Sequence, residues 1–255
     1  MDIDDKAWVL VTGASGDIGF SITKTLLESG YDVVAHYNAL ETRNPDLRKI
    51  AELNNKSIKF IRADFSKKAN LRSFIRLVSV GGRGYTQRKI QAVIHCAGLN
   101  EKKQYSDITE EDFDRIFAVN TKAPLFITQS LLARDMFARN AAIIFIGSAY
   151  SFIGGSTRNM LYTGSKTALL GWHKSLATTL APKVRVNTVV PGSIDTKQLR
   201  DKNSISALQK KKNAIPAGEF GAPEDVAKAV VFLISDKSTY VTGQAFHVNG
   251  GLFLS

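Results

Sequence analysis

A tyrosine and a lysine four residues apart, Tyr162 and Lys166, are the strongest candidates for chemistry in this sequence. Residues at this spacing lie on one face of a helix. Ser148 stands fourteen residues before Tyr162, just after an apolar run typical of a buried strand. A second tyrosine–lysine pair with the same spacing begins at Tyr85, but the residue at the matching serine position is Leu71. We therefore interpret Ser148, Tyr162 and Lys166 as a catalytic group and the second pair as coincidental.

These residue types suit proton transfer to a carbonyl oxygen during hydride exchange with a nicotinamide. A free tyrosine has a pKa of about 10 and gives little phenolate near neutral pH. An ammonium about 5 Å away, in an effective dielectric near 20, is worth roughly 3 kcal/mol, or about two pKa units. We therefore expect Lys166 to lower the pKa of Tyr162 towards about 8. The Ser148 hydroxyl is expected to hold the carbonyl oxygen as charge develops on it.

A glycine-rich segment near the N-terminus has the pattern of a phosphate-binding turn. Its glycines follow a short β-branched run and precede a segment with helical periodicity, Ile18 to Ser29. Glycine permits a tight turn and a close approach of the backbone to an anion, and the helix start offers unpaired N–H groups. The sequence therefore predicts a dinucleotide diphosphate at this turn. The predicted contacts are Gly13, Ser15, Gly16, Asp17, Ile18 and Gly19.

The end of the second predicted strand, His36–Asn38, lacks an acidic residue. NAD-binding folds usually carry Asp or Glu there to bind the ribose 2′-hydroxyl. Glu41 comes later, in the same loop as Arg43. The missing carboxylate leaves room for a 2′-phosphate that Asn38 or Arg43 could contact. We therefore expect NADPH/NADP as the cofactor in preference to NADH.

Short apolar runs alternate with helical patterns along the whole chain. The predicted strands are Trp8–Val11, Val33–His36, Ile58–Ile61, Ala92–His95, Ala142–Ile146, Val184–Val190 and Ala245–Val248. Strands that are apolar on both faces and joined by helices indicate a parallel sheet covered on both sides. Right-handed crossovers then predict an α/β fold: one Rossmann-type doubly wound parallel sheet of about seven strands, with helices on both faces. We expect residues 1–255 to form a single dinucleotide-binding catalytic domain.

Composition excludes several other classes of protein. The 255 residues are 44% hydrophobic and 22% charged, which is ordinary for a globular domain. The single cysteine, Cys96, excludes an internal disulfide and a multi-thiolate zinc site, and no metal is expected. Met1–Lys6 is acidic, unlike a signal peptide, and no apolar run is long enough to span a bilayer. We expect a cytoplasmic protein without a membrane association.

The chain carries 34 basic and 23 acidic residues, a net charge of +11. The basic residues are scattered rather than collected with aromatics, so nucleic acid is not the expected partner. A basic surface would instead attract an acidic or phosphorylated partner.

The motifs together resemble the short-chain dehydrogenase/reductase family over essentially the whole chain. Many members carry TGxxxGxG, whereas this chain has Asp17 at the middle glycine, a spacing similar to the TGxxGxxG turn of the extended branch. The resemblance implies that Lys166 also contacts the nicotinamide ribose. It further implies that Asn120, a fourth catalytic residue, supports a water relay to that lysine.

Other segments match the family's remaining motifs. Asp64 matches a residue that contacts adenine, and His95–Gly98 occupies the place of the NNAG motif without its asparagines. Pro191–Thr196 is similar to the segment that borders the nicotinamide amide, and Asn249–Gly251 to the C-terminal signature of members that form homotetramers. Cys96 is expected to be a small core residue and not a nucleophile. The further cofactor contacts that the resemblance implies are Asn38, Asp64, Phe65, Ala97, Gly98, Tyr162, Lys166, Pro191, Gly192, Ile194 and Thr196.

Within the family, the sequence is most similar to β-ketoacyl-acyl-carrier-protein reductases, including the segment Gly218–Ala227. This likeness implies NADPH-dependent reduction of a 3-oxoacyl thioester on acidic acyl carrier protein, in fatty acid biosynthesis. The lysine-rich stretch Lys197–Ala214, within a region at about residues 193–216, matches the mobile substrate lid.

Four alternatives stay open or are disfavoured at this point. Reductases of another small ketone, a sugar or a polyol share all these motifs. Pteridine reductases resemble the chain at His36–Asn38 but carry an acid at the position of Ser148, and enoyl reductases space their tyrosine and lysine more widely. A catalytically silent nucleotide-binding regulator would explain Asp17 and the altered NNAG motif, but the intact catalytic residues argue against it.

Overall fold

Seven apolar segments pair into one parallel sheet in a computed structural model that describes residues 7–38, 43–81 and 89–254. The strand order is β3-β2-β1-β4-β5-β6-β7. The strands are β1 (Trp8–Thr12), β2 (Asp32–Tyr37), β3 (Ile58–Arg62), β4 (Ile90–His95), β5 (Phe137–Ile146), β6 (Val184–Pro191) and β7 (Ala245–Val248). The predicted fold class is confirmed. Tyr85 of the coincidental pair, Glu41 and Met1–Lys6 lie outside the described residues.

Helices cover both faces of the sheet because successive strand residues point to opposite sides. Val9 and Val11 join one hydrophobic cluster, which includes residues of the first and last long helices, whereas Leu10 joins the cluster on the other face. The helices are α1 (Asp17–Glu28), α2 (Asn44–Leu53), α3 (Lys68–Arg76), α4 (Glu110–Phe117), α5 (Ala123–Ala133), α6 (Tyr150–Ile153), α7 (Met160–Leu180), α8 (Lys197–Asp201), α9 (Ile205–Asn213) and α10 (Pro223–Ile234). None of the helices that the structure describes is long and apolar enough to cross a membrane.

The strand order reverses between β1 and β4, and the loops after these two strands therefore diverge and leave a crevice. The hydroxyl of Thr12, at the end of β1, accepts the backbone N–H groups of Cys96 and Ala97 at 3.1 Å each. This side chain locks the two loops that flank the crevice to each other.

Strand β5 is longer than the sequence predicts. It begins at Phe137, not at Ala142, and the register against β4 shifts between the pairs Ile90–Phe137 and Ala92–Ala142. The extra residues include the exposed Asn140, whose φ is +57°. A polar bulge interrupts the apolar pattern here, which is why periodicity predicted only the second half of the strand.

Two buried histidines support the carboxyl ends of the central strands. His36 accepts the N–H of Gly13 at 3.0 Å on Nδ1 and donates from Nε2 to the Ala63 carbonyl at 2.9 Å, so this ring is the neutral Nε2–H tautomer. His95 shares a 2.9 Å hydrogen bond with the Thr128 hydroxyl. Burial lowers the pKa of His36 to about 4 and that of His95 to about 3.

Because these two histidines are buried in their neutral form, the stability of the fold should depend on pH. Below their ordinary pKa of 6.5 the unfolded chain binds protons at both rings, whereas the folded chain does not. The free energy of unfolding should therefore fall as the pH is lowered from about 6.5 towards 4, by on the order of 3 kcal/mol for His36. Urea denaturation followed by circular dichroism measures this dependence.

The variant His95→Asn is the control, because asparagine does not titrate. Its stability should depend less steeply on pH than that of the wild type over the same range. Equal slopes would show that His95 is not buried in its neutral form.

Candidate active site

The glycine turn lies between β1 and α1 at the edge of the crevice. Gly13 has φ +74°, and a Cβ atom there would lie 2.7 Å from the Ala97 Cα. A Cβ atom on Gly19 would lie 2.1 Å from the Gly13 carbonyl oxygen. Both positions therefore require glycine, because the backbone segments approach too closely for any side chain.

The start of α1 has the features of an anion site. Gly16 is its N-cap and has no side chain to occupy the first-turn N–H groups, and the first helical bond runs from the Phe20 N–H to the Gly16 carbonyl at 2.7 Å. The N–H groups of the first turn and the positive end of the helix dipole therefore lie where the sequence predicts a diphosphate. The turn fits the diphosphate of a nicotinamide dinucleotide.

The Asp17 carboxylate, beside the glycine turn, is largely shielded from solvent. Its side chain is 19% exposed, and one oxygen accepts from the Arg43 guanidinium at 2.5 Å. The other oxygen accepts the backbone N–H of Lys197, at the start of α8, at 2.7 Å. Arg43 compensates the charge of Asp17 and is itself held beside the glycine turn.

The residues predicted to surround the adenosine have mixed environments. The Asn38 backbone carbonyl accepts from Arg62 at 3.0 Å. The Asp64 carboxylate accepts from the backbone and hydroxyl of Ser66 at 2.9 and 2.7 Å. The Phe65 side chain is buried and stacks on the His36 ring at 3.9 Å. The Phe65 ring therefore belongs to the core, and a contact of Phe65 with a cofactor stays a prediction.

The structure brings the three predicted catalytic side chains together beyond the end of β5. Ser148 lies two residues after that strand, and the side chains of Tyr162 and Ser148 share a hydrogen bond. Lys166 lies one turn further along α7, is 3% exposed, and donates from Nζ to the Ile146 carbonyl at 2.7 Å. A Cβ atom on Gly98 would lie 3.3 Å from the same Nζ, so glycine leaves the space that the ammonium occupies.

The expected fall in the pKa of Tyr162 is wrong. Burial raises the pKa of Tyr162 to about 12, and its hydrogen bond with Ser148 only partly opposes this effect. Desolvation of the phenolate is the largest effect on this pKa, and the Lys166 ammonium is bonded to the Ile146 carbonyl. The hydroxyl is therefore protonated at neutral pH and is ready to donate a proton.

Burial also lowers the pKa of Lys166, to about 8. An isolated ammonium disfavours an apolar environment, and its bond to a carbonyl oxygen compensates for only part of the lost hydration. At neutral pH the group still carries its charge in most molecules. A cation beside the active-site cleft can stabilise a negative charge that develops there.

Asn120 lies in a π-helical turn, Ala118–Lys122, between α4 and α5. Its amide accepts the Leu99 N–H at 2.7 Å and donates to the Leu99 carbonyl and to Ser165 Oγ, both at 2.9 Å. Ser165 donates in turn to the Tyr162 carbonyl at 2.8 Å. Asn120 therefore holds the loop after β4 against the catalytic helix, and the water relay to Lys166 stays a prediction.

The segment after β6 forms the opposite wall. The Pro191 carbonyl accepts from the Ala149 N–H at 3.0 Å, which joins this wall to the Ser148 loop. The Gly192 N–H donates to the Val248 carbonyl at 2.9 Å, and Ile194 is buried. Thr196 caps α8 by accepting the Leu199 N–H at 3.2 Å. The predicted lid consists of α8 and α9.

Cys96 lies close to this site but has the properties of a packed residue. Burial raises the pKa of its thiol to about 11, and the neighbouring His95 ring bonds to Thr128 instead. These features agree with the expectation that Cys96 is not a nucleophile.

Sequence reasoning missed the roles of Thr12 and His36, and the only signal was a polar residue at the end of an apolar strand.

Comparison with known proteins places this geometry among dinucleotide-dependent reductases. Residues 13–253 match a family model described as enoyl-(acyl carrier protein) reductase. The 3-oxoacyl-[acyl-carrier-protein] reductase FabG of Rickettsia conorii is 33% identical over 96% of this chain and 96% of its own length. The angucycline C-6 ketoreductase LanV with bound NADP is 26% identical, with a TM-score of 0.88 over 98% of this chain and 96% of that one. A blue fluorescent protein from a metagenomic library, in complex with NADPH, is 27% identical, with a TM-score of 0.86 over 97% of this chain and 98% of that one.

The glycine turn predicts a sharp contrast between two alanine variants. Gly19→Ala places a methyl group against the Gly13 carbonyl and should lower the thermal midpoint by roughly 5 °C or more. Gly16→Ala is the control, because its φ is −75° and a Cβ atom there would lie an acceptable 3.6 Å from the same oxygen. It should leave the midpoint within about 2 °C of the wild type. Equal losses in the two variants, measured by calorimetry, would contradict the packing of this turn.

Proposed function

Because the chain belongs to the short-chain dehydrogenase/reductase family of oxidoreductases, we propose that it reduces a ketone to a secondary alcohol with NADPH. The observation that carries the proposal is the protonated Tyr162 hydroxyl, hydrogen-bonded to Ser148, on the same helix as the buried ammonium of Lys166. A raised pKa keeps the Tyr162 hydroxyl protonated at neutral pH, and carbonyl reduction requires a protonated donor beside the carbonyl oxygen.

In the proposed mechanism, Ser148 and Tyr162 bind the carbonyl oxygen with their hydroxyl groups. The reduced nicotinamide, when bound, supplies the hydride that reaches the carbonyl carbon. Tyr162 transfers its proton to the oxygen, which completes the alcohol and leaves a phenolate. The ammonium of Lys166 stabilises that phenolate until a proton from solvent restores the hydroxyl.

The proposed cofactor contacts follow the loops around the crevice. The glycine turn and the first turn of α1 would hold the diphosphate, and Pro191–Thr196 would border the nicotinamide. Arg43 supports the choice of NADPH, because its guanidinium lies beside the glycine turn, where a 2′-phosphate would meet it. The NADP- and NADPH-bound relatives are consistent with this choice.

A 3-oxoacyl thioester on acyl carrier protein is the proposed physiological substrate. The curated relative from Rickettsia conorii is named for this substrate. The net charge of +11 would favour encounter with an acidic carrier protein. We also propose a homotetramer in the cytoplasm, on the strength of the C-terminal segment Asn249–Gly251.

A free polycyclic or other small ketone is the second candidate substrate. The similarity to LanV, a ketoreductase, favours it. An enoyl substrate is less well supported despite the description of the matching family model, because Tyr162 and Lys166 stand only four residues apart.

Tyr162→Phe tests the mechanism directly. This variant keeps the ring but lacks the proton donor, so turnover should fall by about 10²–10⁴-fold. NADPH affinity, measured by fluorescence, should stay within about twofold of the wild type. The assay follows oxidation of NADPH and of NADH with acetoacetyl thioesters and with small ketones. Equal rates for wild type and variant would remove Tyr162 from the mechanism, and NADPH binding without turnover of any ketone would favour a silent regulator.

Arg43→Gln tests the choice of cofactor. Loss of the guanidinium should weaken NADPH binding about tenfold more than NADH binding, because only NADPH carries the 2′-phosphate. The ratio of the two dissociation constants is the measurement, since both cofactors feel the uncompensated charge of Asp17 equally. Arg48→Gln is the control, because Arg48 lies over the Phe60 ring. An unchanged ratio in Arg43→Gln would show that another residue selects the cofactor.

A further inference from the structure

The proposed lid rests on the loop that follows β4. Lys202, just after α8, donates from Nζ to the Asn100 carbonyl at 2.8 Å, and Gln198 of α8 reaches the same oxygen at 3.4 Å. From the opposite side, Lys102 Nζ lies 3.5 Å from the Lys202 carbonyl. The lid and this loop therefore form one surface.

Four cationic side chains converge on that surface from three segments of the chain. They are Lys102 after β4, Arg158 before α7, and Lys202 and Lys211 of the lid. Burial and the positive charges of Lys211, Arg158 and Lys202 lower the pKa of Lys102, so these three charges lie within electrostatic range of its ammonium.

Neighbouring cations are neutralised, but these four are not. Lys103 pairs with Asp112, and Arg115 pairs with Glu101 and Asp112. Across the ranges that the structure describes, Lys102, Arg158, Lys202 and Lys211 have no carboxylate within salt-bridge distance. Lys102 and Arg158 also line a cavity of about 260 Å³, whose other charged residues are paired with one another: Glu101, Lys103, Asp112 and Arg115. Like charges gathered without a counter-charge lower stability unless a ligand supplies the counter-charge.

The cluster extends to the catalytic group. Lys211 Nζ donates to the Tyr150 hydroxyl at 3.4 Å, and the Tyr150 N–H donates to Ser148 Oγ at 3.3 Å. Tyr150 therefore lies between the Lys211 ammonium and the serine that is proposed to hold the ketone oxygen. An anion bound by Lys211 could therefore belong to the same molecule as the reacting carbonyl.

We propose that Lys102, Arg158, Lys202 and Lys211 bind an anionic oxygen group, a phosphate or a carboxylate, that the ketone substrate carries. This inference rests on the proposed ketone reduction and deepens it by naming the substrate class. Charge-assisted hydrogen bonds to such a group would also hold the lid against the loop after β4. The anion could be the phosphate of a phosphopantetheine arm or a carboxylate of a free oxo acid.

Two matched pairs of substrates distinguish these sources. Acetoacetyl-phosphopantetheine and acetoacetyl-pantetheine differ by one phosphate, and levulinate and methyl levulinate differ by one negative charge. We expect kcat/KM to be about tenfold higher for the charged member of at least one pair. A preference confined to the first pair identifies the carrier arm, and one confined to the second pair identifies a free oxo acid.

Variants on the two sides of the cluster test the assignment. Lys211→Gln, on the lid, and Lys102→Gln, on the loop after β4, should each remove most of the preference and leave the neutral substrates within about twofold of the wild type. Lys212→Gln is the matched control, because it removes the same charge from the next residue of α9, which is exposed. It should keep the full preference.

The proposal fails if the wild type reduces the neutral substrates and prefers neither charged partner, or if Lys211→Gln lowers the rates for charged and neutral substrates alike. If the wild type reduces none of the four substrates, the proposed ketone reduction fails for this panel. The proposed anion site is then tested separately, by measuring binding. Calorimetric titration of phosphopantetheine and of levulinate into the NADP-saturated protein then provides the readout. Binding that Lys211→Gln weakens and Lys212→Gln does not would support the site, and absence of binding would overturn it.

Discussion

The buried ammonium of Lys166 is the constraint on which the site depends. A cation that is 3% exposed must find a hydrogen-bond acceptor, and the acceptor is the last carbonyl of β5. This bond fixes the position of α7 relative to the sheet edge, and with it the position of Tyr162. It also requires glycine at position 98, because a Cβ atom there would crowd the ammonium. The adjacency of β4 and β5 in the sheet is therefore a condition for the chemistry and not only for the fold.

Burial tunes the two titrating groups in complementary directions. It raises the pKa of Tyr162 to about 12 and lowers that of Lys166 to about 8, so that a protonated phenol and a cation coexist at neutral pH. This pair is suited to giving a proton to a nascent alkoxide and then stabilising the phenolate that remains. The same low polarity that makes the phenolate costly before reaction strengthens its attraction to the ammonium once it forms.

Electrostatic contacts also connect the nucleotide turn with the lid. Asp17 bonds the guanidinium of Arg43 with one oxygen and the first residue of α8 with the other. The lid in turn places Lys202 and Lys211 next to Lys102, on the far side of the cleft. The beginning of the lid is thus anchored to the proposed cofactor site, and its remainder carries cations to the proposed substrate site. Both ends of the cleft share one wall in this arrangement.

Local features could be read from the sequence, because each depends on neighbours in the chain. Apolar runs predicted all seven strands, the glycine spacing predicted the turn at Gly13 and Gly19, and the spacing of Tyr162 and Lys166 predicted their shared helix. The electrostatics, by contrast, emerged only from the folded chain. The partners of Asp17 stand 26 and 180 residues away in the chain, Phe65 packs on His36, and desolvation reversed the expected pKa shift of Tyr162. Hydration and charge depend on everything within a few ångströms in space, and periodicity along a chain carries no record of which distant residues will come that close.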